Sequence, residues 1–337
     1  ATMAAQPPPA ANTYAAKAAE TMAAMEDGSM PQDGEGSPMV AHNTEEYRYN
    51  PENPFMAVSG APLSTFGADV DTASYANIRR MLLGGSPVPE DAVRIEEMLN
   101  YFYYDYPEPK EQEPFSVTTR LAECPWNQSH SLLQIGLQAK KLDEDALPAS
   151  NLVFLLDVSG SMDAPDKLDL VKRAFLTMTE NLKDGDSISI VTYASSDKVV
   201  LDGASGSDRT RIMTAIENLE AGGSTAGSKG IKTAYELAEK HFIKGGNNRV
   251  ILATDGDLNV GVTSEGGLTR LIQKKRKSGV FLSVLGFGTG NIKDNKMEAL
   301  ADNGNGQYAY IDSMAEARKV LVEEMGGTLF TVAKDVK

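Results

Sequence analysis

A single cysteine, Cys124, occurs in 337 residues. Intrachain disulfides, thiolate zinc sites and iron–sulfur clusters are thereby excluded. Three histidines, His42, His130 and His241, leave few candidates for a general base. No run approaches the roughly 20 apolar residues of a membrane span, and the first residues lack the basic and apolar stretches of a secretory leader. No membrane-spanning segment is expected. Positive charge is scarce too: 32 Lys and Arg against 47 Asp and Glu give a net charge of −15. Such a field repels a phosphate backbone, so no nucleic-acid partner is expected. Glycine and proline, 30 and 16, stand at ordinary levels, which excludes a collagen-like chain.

The composition divides the chain into four parts. Residues 1–52 are rich in Ala, Pro, Met and acidic side chains; they carry too little apolar surface to offset their ordering entropy and read as a disordered tether. Residues 53–148 read as a small helical and β-hairpin module. Its first helix is signalled by Tyr75, Ile78, Met81 and Leu82, and its second by Val93, Ile95, Met98, Leu99 and Phe102. Two β-rich runs, Phe115 to Cys124 and Ser131 to Ala139, form its hairpin. The aromatic run Tyr101 to Tyr106 and Trp126 are expected to pack this module against the rest. Residues 149–327 are expected to form the main domain, and 328–337 are expected to be a C-terminal stub of a further one.

In the main domain, apolar or β-branched runs at Leu152–Leu156, Ser187–Tyr193, Val250–Ala253, Phe281–Phe287 and Gln307–Ile311 alternate with helix-period segments. One helical stripe comprises Leu168, Val171, Phe175, Met178 and Leu182, another Ile231, Ala234, Tyr235, Ala238 and Phe242. Near-continuous apolar strands alternating with helices predict an α/β fold: a doubly wound, mostly parallel sheet covered on both faces. Ligands gather outside the carboxyl ends of the strands in such sheets.

Chemistry-bearing residues fall at that edge. The first strand runs into Asp157-Val158-Ser159-Gly160-Ser161, an Asp-x-Ser-x-Ser loop. Gly222-Gly223-Ser224-Thr225 opens a later helix, and the strand at Val250 ends in Thr254-Asp255-Gly256-Asp257. Hydroxyls of Ser159, Ser161 and Thr225 with carboxylates of Asp157 and Asp255 make an all-oxygen set suited to a hard divalent cation. Two carboxylates only just balance a 2+ ion, which favours an incoming carboxylate at a vacant position. The bland alternative, that strand-end aspartates merely cap turns, explains one of them but not five residues in register. For Asp257 the turn reading is preferred.

On these residues the chain resembles the von Willebrand factor type A family, whose metal-ion-dependent adhesion site is an Asp-x-Ser-x-Ser loop with a distant Thr and a distant Asp. Asp157, Ser159, Ser161, Thr225 and Asp255 match it in order. The resemblance implies a Rossmann-like sheet with one antiparallel edge strand, bound Mg2+ or Mn2+, and a protein ligand presenting an acidic side chain. It also implies that a shift of the last helix, about Met314 to Met325, couples occupancy to the appended module. The wider chain, including Pro62 to Phe66 and Asp71 to Ala76, resembles bacterial envelope proteins of this family. That implies a periplasmic or surface-exposed location, a lipid anchor outside this chain, and a domain beyond Lys337.

The expected function is a metal-dependent protein-interaction module rather than an enzyme. The alternatives are a metal-assisted hydrolase or phosphatase, which lacks an evident base, and a structural envelope spacer stiffened by a metal. Gly286-Phe287-Gly288-Thr289-Gly290 lacks the spacing of a dinucleotide loop and reads as a tight turn. Gly223 to Lys229 lacks the Gly-Lys-Ser/Thr triplet of a phosphate loop. Lys274 to Lys277 read as a solvated helix end, and His241 as a helix-end partner of the dipole.

Overall fold

The computed structural model describes residues 44–49, 51, 53–65, 70–110, 113–141, 147–224, 227–256 and 265–324. Most of the expected tether, Thr225, Asp257, Met325 and the stub at 328–337 lie outside the described residues. In chain order the helices are α1 (Ala73–Leu83), α2 (Ile95–Asn100), α3 (Leu168–Thr179), α4 (Arg209–Glu217), α5 (Gly227–Lys240), α6 (Glu265–Arg276), α7 (Asp294–Asn303) and α8 (Met314–Arg318). The strands are β1 (Phe115–Glu123), β2 (Ser131–Ala139), β3 (Ser150–Asp157), β4 (Ser187–Tyr193), β5 (Asp197–Ser205), β6 (Asn247–Thr254), β7 (Val280–Phe287) and β8 (Tyr308–Ile311).

Six strands form one sheet in the order β5-β4-β3-β6-β7-β8. Only β5 runs antiparallel, alongside β4. Every residue of β3, β6, β7 and β8 is buried, as expected of strands covered on both faces. One core holds Phe154, Leu156, Phe175, Met178, Ile190 and Ile212, under α3, α4 and α8. The other holds Val153, Leu155, Tyr193, Ile231, Tyr235 and Leu282, under α1, α5, α6 and α7. Burial of each such side chain contributes about 1.5–3 kcal/mol, so the sheet is the rigid frame of the strand ends. The α3 and α5 stripes are buried as the periodicity predicts, except that Phe242 lies past the end of α5 and stays half-exposed.

The N-terminal elements differ from expectation. α1 does not stand apart: Ala73 and Ala76 belong to the core shared with Tyr308 and Tyr310, and Asp71 Oδ1 accepts the Tyr308 amide at 2.8 Å. In α2 the predicted apolar stripe faces outward, with Ile95 and Leu99 exposed while Arg94 and Glu97 are buried. The reason is electrostatic. Arg94 pairs with Glu97 and Asp294, so the charged edge of α2 is drawn onto α7 and its apolar edge turned away.

The segment assigned to the tether is held over its described part. Thr44 N donates to Gly290 O at 2.7 Å, Glu46 N to Ile292 O at 2.8 Å, and Asp294 N to Glu46 O at 3.1 Å. The expected hairpin forms by antiparallel pairing of β1 and β2. Its aromatic neighbours behave unlike the packing expectation: Trp126 and Tyr103 are exposed, whereas Tyr101 stacks on Tyr75 at 4.0 Å between ring centres. The flat ring of Tyr106 lies against Gly136, where a Cβ would collide with it.

Candidate metal centre

Four strand ends build one polar nest. β3 ends at Asp157, β4 at Tyr193, β6 at Thr254 and β7 at Phe287; parallel pairing of β3, β4, β6 and β7 brings these carboxyl ends to the same edge. The loop after Asp157 closes as a short 3-10 turn, Gly160–Met162. It is tied to the loop before α5 by Gly160 N donating to Gly223 O at 2.9 Å and Gly222 N to Val158 O at 2.8 Å.

Asp157 is fully buried, and four donors converge on its carboxylate. Oδ1 accepts the Ser159 amide at 2.9 Å and the Ser159 hydroxyl at 2.6 Å. Oδ2 accepts Tyr193 Oη at 3.0 Å and Thr254 Oγ1 at 3.1 Å. Burial pushes this carboxyl up from the ordinary value; the Ser159 and Tyr193 bonds oppose the rise, and the charge on Asp255 adds to it. Ser159 Oγ and Ser161 Oγ are 3.1 Å apart.

Asp255 is equally buried but differently served. Lys167 Nζ donates to its Oδ2 at 3.0 Å and to Asn291 Oδ1 at 2.9 Å. Burial works to raise the Asp255 carboxyl, but Asn291, Lys167 and Ser161 outweigh it and hold the group below the ordinary value. Gly256 takes φ +96, and a Cβ there would overlap Lys293 and Ile292. A glycine is therefore required for the turn after Asp255.

Four of the five residues expected from the sequence are thus brought to one edge: Asp157 accepts the Ser159 hydroxyl, which meets that of Ser161, and Asp255 is held beside them by Lys167. Thr225 lies outside the described residues, but its neighbour Ser224 donates its amide to Ser195 Oγ at 2.9 Å. Sequence reasoning missed Tyr193, Thr254, Asn291 and Lys167. The first two are the last residues of strands, where ligands gather. Lys167 carried a sharper signal: a cation immediately before a helix, at the pole that disfavours positive charge, needs a local reason.

The donor set fits a hard cation. All the assembled groups are oxygens, two charged and two neutral. Among the described residues no three His, Cys, Asp or Glu side chains gather to hold an ion, so an ion at this edge draws on hydroxyls. His241 lies elsewhere, 2.6 Å from Asp202 Oδ1, and His130 lies against Phe55. No described helix is long and apolar enough to cross a membrane.

Two family models match the chain: von Willebrand factor type A domain over residues 151–324, and von Willebrand factor over residues 41–134. The Escherichia coli (strain K12) protein YfbK is 46% identical over 301 residues, covering 87% of this chain and 52% of YfbK. The Synechocystis protein sll0103 is 32% identical over 192 residues, covering 56% of this chain and 44% of that protein. The chain spans about half the length of the curated relatives it matches. Among solved structures, a von Willebrand factor type A protein from Catenulispora acidiphila superposes with a TM-score of 0.48 at 20% identity, covering 67% of this chain and 52% of that one.

Proposed function

The chain belongs to the von Willebrand factor type A domain family, and from that premise we propose that its strand-end nest is a metal-dependent protein-binding site rather than a catalytic one. Asp157, Ser159, Ser161, Thr225 and Asp255 hold one Mg2+ or Mn2+ ion. When bound, the ion supplies a Lewis-acidic position for an acidic side chain of a partner protein.

The observation that carries the reading is the convergence, at the carboxyl edge of the sheet, of the hydrogen-bonded run Asp157–Ser159–Ser161 with the buried carboxylate of Asp255 at the end of the neighbouring strand β6. The division of labour follows from chemistry. Tyr193 and Thr254 fix the orientation of Asp157. Ser159 and Ser161 offer neutral oxygens, which leave the shell short of negative charge and receptive to an outside carboxylate. A buried, four-fold hydrogen-bonded aspartate is a poor nucleophile or base, and His130 and His241 are engaged with Phe55 and Asp202. The location favoured by the wider resemblance is the bacterial cell envelope, with the partner presented there.

The test is capture of partners from an envelope extract by the whole chain, with Mg2+ or with chelator, alongside Asp157→Ala and Thr225→Ala. Partners held only with Mg2+ and lost in both folded variants support the reading. Equal capture with chelator overturns it; turnover of ester or phosphate substrates abolished by the same variants would favour a hydrolase. A lowered melting temperature with unchanged capture would favour a spacer.

A further inference from the structure

Lys167 brings an ammonium group into the nest. It is the residue just before α3, it is 8% exposed, and its ammonium spans Asp255 and Asn291. Its position is built. The aliphatic stem lies in a slot over Gly288, where a Cβ would overlap Lys167 Cγ, Cδ and Cε. Gly288 has φ +76, which favours glycine independently. The flanking residues clasp the same two loops together, Thr289 Oγ1 donating to Asp166 Oδ2 at 3.3 Å. The Gly286–Gly290 turn, which the function left unused, is what makes room for this lysine.

The charge count changes accordingly. Asp157 and Asp255 would together offer an incoming ion two negative charges; with Lys167 the nest offers one. A unit charge within a few ångströms, in a buried site, is a large perturbation on cation binding. The same ammonium gives Asp255 a counter-ion whenever no other cation is present, sparing the fold the cost of a buried unpaired carboxylate.

We propose that Lys167 is an internal counter-cation of the site: it opposes divalent-ion binding and holds Asp255 and the Asn291 loop in place when the ion is absent. This rests on the metal-binding reading above. Metal uptake is then an exchange of one cation for another at Asp255, and Lys167 sets the ion concentration at which the module becomes competent to bind.

Titration calorimetry of the whole chain with MgCl2, and with MnCl2 followed by the Mn2+ electron paramagnetic resonance signal, tests the proposal on wild type, Lys167→Gln, Lys167→Met and Lys167→Arg. Glutamine removes the charge yet can still hydrogen-bond to Asp255 and Asn291, so it guards against a methionine variant that fails to fold. Both neutral variants are expected to bind Mg2+ roughly tenfold tighter or more, with a lower melting temperature in chelator and a larger rise on adding Mg2+. Lys167→Arg should stay near wild type.

If wild type binds and the neutral variants bind equally or more weakly, the counter-cation idea is overturned while the metal site stands. If wild type takes up neither ion but Lys167→Gln does, the counter-cation idea holds and the native metal site falls. If neither binds, both fall.

Discussion

Tyr193 Oη lies 3.0 Å from Asp157 Oδ2 and donates to it across the β3–β4 pair. Tyr193 is wholly buried, and its hydroxyl titrates far above the ordinary value, first through burial and then through the adjacent Asp157 charge. It stays a donor at any working pH. Tyr193→Phe deletes one of the four donors on a buried carboxylate at constant shape. Loss of a buried hydrogen bond to a charged group costs about 1.5–3 kcal/mol. Urea unfolding in chelator should register that loss, and an unchanged midpoint would show the bond to be incidental.

Asp157→Asn is expected to separate binding from stability. The asparagine is isosteric and uncharged, so the desolvation that raises the Asp157 carboxyl disappears. Stability in chelator should be equal to or above wild type, while the stabilisation given by Mg2+ is lost. Differential scanning fluorimetry with and without Mg2+ reads both, and a variant still stabilised by Mg2+ would remove Asp157 from the ligand set.

Arg79 staples α1 to α8 and to the turn that precedes it. Its guanidinium donates to Asp312 Oδ2 at 3.1 Å, to Glu316 Oε2 at 2.9 Å and to Tyr101 Oη at 2.7 Å, while Lys319 Nζ donates to Tyr101 O at 2.9 Å. Glu316 is 2% exposed. Arg79→Ala takes away that carboxylate's cationic partner, leaving it the Tyr101 hydroxyl at 2.7 Å, and should cost about 2–4 kcal/mol, discounted for the partial exposure of the arginine. Hydrogen exchange should quicken first in α8, and uniform exchange across the chain would argue against a staple.

Glu298 gives a pH dependence with a definite sign. Burial pushes its carboxyl up to about 7, Arg94 pulls it down, and Asp294, Glu97 and Asp302 push it further up. A raised carboxyl means that the folded state holds a proton which the unfolded chain has released. Stability from this group is therefore full below the ordinary value near 4.5 and is lost as pH rises through about 7. Glu298→Gln should stabilise the protein by about 1–2 kcal/mol at pH 8 and by little at pH 5. Denaturation midpoints at the two pH values check this, and a gain at pH 5 as large as that at pH 8 would refute it.

β3, β4, β6, β7 and β8 were legible as near-continuous apolar runs, as strands covered on both faces must be, and α3 and α5 because their apolar residues repeat with the helical period and are buried on the face it predicts. β5 and α4 carry weaker patterns; β5 was expected only through the family resemblance, since an edge strand is half-exposed and bends through register shifts near Ile190. α2 was legible as a helix but its buried face was not. Periodicity assumes that apolar residues seek the interior, whereas Arg94 found Asp294, distant in sequence, and turned the helix over.

The same division runs through the site. Short-range order alone set Asp157, Ser159 and Ser161 on one loop, because two-residue spacing in a strand-to-helix turn keeps their oxygens within reach of each other. The chain order of elements also placed Asp255 at a strand end. What folding decided is how the two carboxylates differ: Asp157 meets Tyr193 and Thr254 from neighbouring strands, and Asp255 meets Lys167 and Asn291 from separate loops. These encounters depend on strand register and on the space left at Gly288, and Coulombic and hydrogen-bond energies depend on distances that no spacing along the chain encodes.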